Sequence, residues 1–268
     1  MSSTRHRTAS DEDLSRQHAQ SPLAVRLRER IAREGAITFR DWMAAALYDE
    51  QDGYYQRADR ERWGRAGDYR TSPERSPLFA ATFARYFASL HAELGAPASW
   101  TIFEAGAGRG DFARGVLEAL ECDHPQIFRA TRYVIDETGE SARASAVSKL
   151  APFAGRVEFR SFGDHVETPG EAIVFSNELL DAFPVHRVLM KGGKLRELCV
   201  GLDGVGEFAW VEREPSTPRL VEHFARLGVT LSEGQRAEVN LAAEDWIRQS
   251  NALITRGFVV TVDYGAQA

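Results

Sequence analysis

Three glycines stand at alternate positions in Glu104-Ala-Gly106-Ala-Gly108-Arg-Gly110-Asp111, between a short apolar run, Trp100-Thr-Ile-Phe-Glu104, and a helical pattern over 110–121. Glycine lets the backbone turn tightly and touch a ligand, and a helix start offers N–H groups that the helix itself leaves unpaired. Together they suit a bound nucleoside cofactor; a turn that only packs helix against strand is the plainer alternative. Asp136 closes the next strand pattern, where an acid can accept both ribose hydroxyls. Asp164, after Phe162-Gly163, falls where an adenine ring is expected. Further on, Ser176-Asn177-Glu178-Leu-Leu-Asp181 follows another apolar run. Reacting groups collect beyond the carboxyl ends of parallel strands, so Asn177 and Glu178 are expected to face the glycine turn and hold a cationic or amine acceptor. Asn177 and Asp181 also suit simple capping and turning of the backbone.

The glycine spacing separates two cofactor classes. The dinucleotide fingerprint G-x-G-x-x-G needs its third glycine where Asp111 stands. G-x-G-x-G after a strand that ends in an acid is instead the usual pattern of S-adenosylmethionine sites, with Glu104 near the methionine end and Gly106, Gly108 and Gly110 forming the floor.

Positioning these residues calls for an α/β, Rossmann-like fold. Strand patterns at 100–104, 132–136, 156–160 and 171–175 alternate with helical patterns at 110–121 and 139–150, which predicts βαβ units and a parallel sheet. Ahead of them, Ser21-Pro22 opens one helix, Thr38 with Asp41 caps a second, and Ser76-Pro77 opens a third that runs to about Leu94. Phe79, Phe83 and Phe87 on the third read as core. Three strand-like runs between 185 and 213, separated by Gly192-Gly193 and Leu202-Asp-Gly204, predict an antiparallel insertion within 185–240. A helix at 241–255 and a buried strand at 257–263 follow. The expected division is a disordered tail at 1–20, an N-terminal helical and lid region at 21–98, and the Rossmann-like domain at 99–268.

Composition excludes several classes. The chain has 268 residues, 33 Lys and Arg against 39 Asp and Glu, and a formal charge of -6, so no nucleic-acid partner is expected. No window reaches the eighteen uninterrupted apolar residues of a membrane span. The seven histidines lack ligand spacing and the two cysteines, Cys122 and Cys199, form no C-x-x-C pair, so no metal is expected. An N-terminus with acids and no apolar core predicts a cytoplasmic protein, and the near-absence of Lys beside Arg points to a GC-rich bacterial genome.

Several ordered segments resemble the MidA-type methyltransferases, which include the mitochondrial assembly factor of respiratory complex I. They are Ile37-Thr38-Phe39 with Trp42-Met43 and Leu47-Tyr48, Gly53-Tyr54-Tyr55, Gly67-Asp68-Tyr69 with Thr71-Ser72-Pro73-Glu74, the glycine turn, Asn177-Glu178 with Asp181-Ala-Phe-Pro184-Val185, and Asp263-Tyr264-Gly265. The resemblance implies methyl transfer from S-adenosylmethionine to a protein side-chain nitrogen, arginine in the mitochondrial relatives. With that cofactor the expected contacts are Glu104, Gly106, Gly108, Gly110, Asp136, Asp164 and Asn177. Glu178, with Asn177 and Glu74, would orient the acceptor, and the segment 53–76 would be a lid with Gly53, Gly64 and Gly67 as hinges. A catalytically silent assembly factor on the same fold is the rival. Ala107, Tyr69 and Arg75 depart from the family pattern; Arg75 bears on how a lid packs. The resemblance also implies further strands beyond Asp263, so the expectation is a shortened chain of low activity. Its last strand would lie exposed unless the insertion or a second copy of the chain covers it.

Overall fold

A computed structural model describes residues 21–56, 76–161 and 170–264. The tail at 1–20, the lid residues from 57 to 75 with Glu74 among them, Asp164, and Gly265 lie outside the described residues. The chain divides into two compact units, one of residues 1–57 and 184–242, the other of residues 58–183 and 243–268.

The second unit holds the parallel sheet. Its strands are β2 (Trp100–Ala105), β3 (Thr131–Asp136), β4 (Val157–Phe159), β5 (Glu171–Asn177) and β10 (Arg256–Val262), in the order β10-β5-β2-β3-β4 with every pairing parallel. Alternation along the strands sends neighbouring residues to opposite faces, and both faces are apolar because both are covered. Ile102, Tyr133, Ile135, Ile173 and Phe175 share one cluster with helices α3 (Pro77–Glu93) and α4 (Asp111–Asp123). Phe103, Val134 and Val174 share the other with Trp246 of α8 (Leu241–Ala252).

The phenylalanine stripe is core, as its spacing predicts. Phe87 is buried completely, Phe79 and Phe83 pack on Phe112, and the Phe112 ring stacks on Phe175 at 4.4 Å. These contacts place α3 with the parallel sheet, whereas the two helices before it belong to the other unit. Ser76 caps α3 by accepting from the Leu78 N–H, the local signal that announces it. Helix α6 (Glu140–Lys149) joins β3 to β4 as expected, while the short helix α5 (Pro125–Ala130) ahead of β3 is additional. At one end of the sheet β10 pairs with β5; among the described residues no strand pairs with its other edge.

The first unit is built on an antiparallel sheet of β1 (Ile37–Thr38), β6 (His186–Lys191), β7 (Lys194–Leu202), β8 (Phe208–Arg213) and β9 (Arg236–Val239). The hairpin between β6 and β7 turns on Gly192 and Gly193, at φ +58 and +70, as the two-glycine signal requires. Helices α1 (Pro22–Glu34) and α2 (Phe39–Tyr48) pack on it through Leu27, Ile31 and Trp42. Ser21 and Thr38 supply their caps, accepting from the N–H groups of Ala24 and Asp41. Helix α7 (Arg219–Leu227) and β9 have no counterpart in the sequence reading; both are short, and α7 buries only Leu220 fully. Within this sheet the fully buried Glu197 accepts from His186 Nδ1 at 2.7 Å and from the Ser216 N–H at 2.6 Å, bonds that hold its carboxyl below the usual range against the cost of burial.

Candidate functional site

The glycine turn follows β2 directly. Gly106, Gly108 and Gly110 have φ of +69, +55 and +78, a left-handed region in which a side chain costs about 1 kcal/mol per residue. The Gly106 N–H donates to the Asp136 carbonyl at 2.8 Å, tying the turn to the end of β3. A side chain at Gly110 would begin 3.0 Å from the Ala146 Cβ, so α4 approaches α6 closely only because that position is bare. Asp111, in the first turn of α4, pairs with Lys149 on α6 at 2.5 Å. The turn therefore ties a strand end and packs a helix at once: the N–H groups of its first two glycines reach the end of β3 and its third glycine faces α6.

Two carboxylates end β3, and the structure gives them different tasks. Asp136, the acid singled out by its position in the strand, contributes its backbone carbonyl to the turn. The carboxylate that reaches the glycines belongs to Glu137, one residue on: it accepts from the N–H of Gly108 at 2.7 Å and of Gly139 at 2.7 Å. Sequence reasoning missed Glu137, although an acid directly after Asp136 was the available signal. Glu104 is 4% exposed and receives a hydrogen bond from the Tyr133 hydroxyl at 2.6 Å. Burial pushes its carboxyl up to about 8; the Tyr133 bond works against that shift and the charge of Glu137 adds to it. Tyr133 was also missed, its signal being a hydroxyl inside an otherwise apolar strand.

Opposite the turn lies the segment after β5. Among the described residues the buried Oδ1 of Asn177 has no hydrogen-bond partner, an arrangement that folding alone does not favour. Glu178 takes φ +48, which is unusual for a residue with a side chain and is a conformation found at functional sites. Its N–H donates to the Val262 carbonyl at the end of β10 at 2.8 Å. Leu179 reaches over Gly106: its Cδ1 lies 2.9 Å from where a Cβ of residue 106 would stand. Tyr264 donates its hydroxyl to Asp181 at 2.5 Å, and that bond, with the charges of Asp181, Asp263 and Glu178, raises its pKa to about 12. Three carboxylates thus surround one exposed tyrosine. Of the sequence-derived set, Glu104, Gly106, Gly108, Gly110, Asp136, Asn177 and Glu178 all lie at the carboxyl edge of this one sheet.

A family model of S-adenosyl-L-methionine-dependent methyltransferases matches residues 82–268. The chain belongs to that family. Its resemblance extends to solved structures: a Burkholderia thailandensis protein crystallised with S-adenosyl-homocysteine bound is 30% identical, with a TM-score of 0.76, over 97% of this chain and 66% of that one. A native crystal structure from the same organism is 31% identical, with a TM-score of 0.74, over 98% and 65% of the two chains. Among curated proteins, the mitochondrial protein arginine methyltransferase NDUFAF7 homologue of Drosophila melanogaster is 27% identical over 232 residues, 73% of this chain and 49% of the relative. That of Caenorhabditis elegans is 26% identical, over 69% of this chain and 47% of the relative. The chain spans about half the length of the curated relatives it matches.

The family's cofactor fits the residues present. The turn's three left-handed glycines leave its backbone without side chains beside the carboxyl edge of the sheet, and the Asn177 Oδ1 is a buried acceptor that no described residue satisfies.

Proposed function

We propose that this chain binds S-adenosylmethionine across the glycine turn and methylates a nitrogen of a protein side chain, arginine being the acceptor that the curated relatives suggest. One observation carries the reading: the glycine turn and the carboxylates of Glu178, Asp181 and Asp263 share the carboxyl edge of a single parallel sheet, so a cradle for the cofactor and a cluster of charge for a cationic acceptor belong to one site.

The bound cofactor supplies a methyl group on a positively charged sulfur. Around it, Gly108 would admit the ligand to backbone contact, Glu137 and Asp136 would present carboxylates to the ribose hydroxyls, and Asn177 would accept a hydrogen bond through its Oδ1. Glu178, held by its bond to Val262, orients a guanidinium through charge-assisted hydrogen bonds, which keeps one nitrogen aimed at the methyl. Placing the acceptor in line is the main contribution such a site makes, since the leaving group is already activated. Glu74 and Asp164 extend the same proposal to the segments 57–75 and 162–169.

The experiment is transfer of radiolabelled methyl from S-adenosylmethionine into a cell lysate, with identification of the labelled residue by mass spectrometry. Label on protein arginine supports the reading. Label in lipid or nucleic acid would overturn the acceptor assignment, and cofactor binding without transfer to any macromolecule would favour the silent assembly factor.

A further inference from the structure

Beneath the glycine turn lies an ionisable pair that the reading above leaves unused. Glu104 points to the face of the sheet that carries Ile102 and Ile135, and in register it stands between Ile135 of β3 and Phe175 of β5. Tyr133, with no exposed surface, pairs in register with Ile102 and leans along the sheet so that its hydroxyl meets Glu104 Oε2 at 2.6 Å. Among the described residues the ionisable groups acting on Glu104 are Tyr133 on β3 and Glu137 just beyond it; β5 sets Phe175 against it, and α3 and α4 present the phenylalanine cluster. One hydroxyl and one further acid make a poor setting for a buried anion, because nothing there repays the lost hydration of a charge.

We propose that Glu104 holds a proton on its carboxyl in the empty site and releases it to solvent when the cationic cofactor binds, and that Tyr133 is the positioning residue that fixes the carboxyl for this exchange. The inference rests on the cofactor reading. The neutral carboxyl suits the empty site, whose nearest charge is another acid; a sulfonium or an α-ammonium group reverses that balance, since an opposite charge within a few ångströms favours the ionised form. The O–H bond of the carboxyl breaks, the proton passes to buffer, and the carboxylate left behind keeps the hydrogen bond donated by Tyr133. The value near 8 in the empty site agrees with this geometry. Below that pH, each cofactor bound displaces about one proton. Apparent affinity therefore rises by up to about tenfold per pH unit and levels off above the empty-site value.

The test is isothermal titration of the full chain with S-adenosylmethionine at pH 6.5, where the amino group of the ligand stays protonated, in buffers of widely different ionisation enthalpy. The expected result is a buffer-dependent heat corresponding to release of about one proton. Glu104→Gln, an uncharged isostere of the protonated acid, is expected to bind with no such release. Tyr133→Phe is expected to keep the release, move the midpoint of the pH–affinity curve upward and weaken binding at pH 6.5 roughly tenfold; a merely structural role would lower the melting temperature and leave the midpoint in place. Heat independent of buffer in the wild type, or equal release from Glu104→Gln, would overturn the proposal and spare the cofactor reading. Absence of binding by the folded wild type would overturn both. If Glu104→Gln fails to bind, the wild-type buffer dependence and the Tyr133→Phe midpoint decide.

Discussion

The carboxylate of Asp263 accepts a hydrogen bond from the Leu180 N–H at 3.0 Å, joining the end of β10 to the segment after β5. Its other oxygen accepts from the Tyr264 N–H at 2.9 Å, and Tyr264 in turn bonds Asp181. The segment that carries Glu178 and Leu179 is thus held from the far end of the chain rather than by its own turn alone. Asp263→Ala should loosen it, at a cost of about 1 kcal/mol in stability, and lower cofactor affinity several-fold. Titration calorimetry beside a thermal melt checks both; unchanged affinity would detach the acidic cluster from the site.

Asn177 offers the opposite pairing of effects. An oxygen buried without a partner among the described residues costs stability, so Asn177→Ala should leave the melting temperature unchanged or raise it slightly, while S-adenosylhomocysteine binding weakens roughly tenfold. A substitution that lowers stability and spares binding would show that the oxygen serves the fold.

Gly257 has a steric task of a different kind. A Cβ there would lie 1.8 Å from the Ala172 carbonyl oxygen, inside the β5–β10 ladder. Gly257→Ala should therefore break that pairing and cost more than 3 kcal/mol, read as loss of soluble protein or of the cooperative thermal transition. Gly110→Ala, which combines a positive φ with contact on Ala146, should cost about 1–3 kcal/mol and leave a folded protein.

The pH dependence of stability follows from Glu104. Its native carboxyl titrates near 8 and its unfolded one near the ordinary value of about 4.3, so between those limits the native state holds the extra proton. Its contribution is complete below the unfolded value and is lost as pH rises toward 8, at up to about 1.4 kcal/mol per pH unit, with no further loss above. Urea melts from pH 5 to 9 should show this decline in the wild type and a flatter profile in Glu104→Gln.

Much of this was legible in the chain because it is local. Ser21, Thr38 and Ser76 announce their helices through bonds reaching two or three residues ahead, and Gly192-Gly193 announces its hairpin through the φ values that only such residues adopt readily. The glycine turn is legible for the same reason, and the alternation of strands with helices required a parallel sheet whose carboxyl edge would gather the turn and Asn177-Glu178.

What the sequence could not decide is which side chains meet across strands. Asp136 and Glu137 are adjacent in the chain, and only the path of the turn beside β3 determines that the Glu137 carboxylate reaches Gly108 while Asp136 gives its carbonyl to Gly106. Tyr133 reads as one more apolar strand residue until the register sets it diagonally behind Glu104. Asp263 finds Leu180 across 83 positions because β10 pairs beside β5. Backbone preferences act over a few residues, so residue order determines where turns, caps and strands form. The partners of a buried carboxyl are selected by desolvation, and desolvation exists only once the sheet has closed around it.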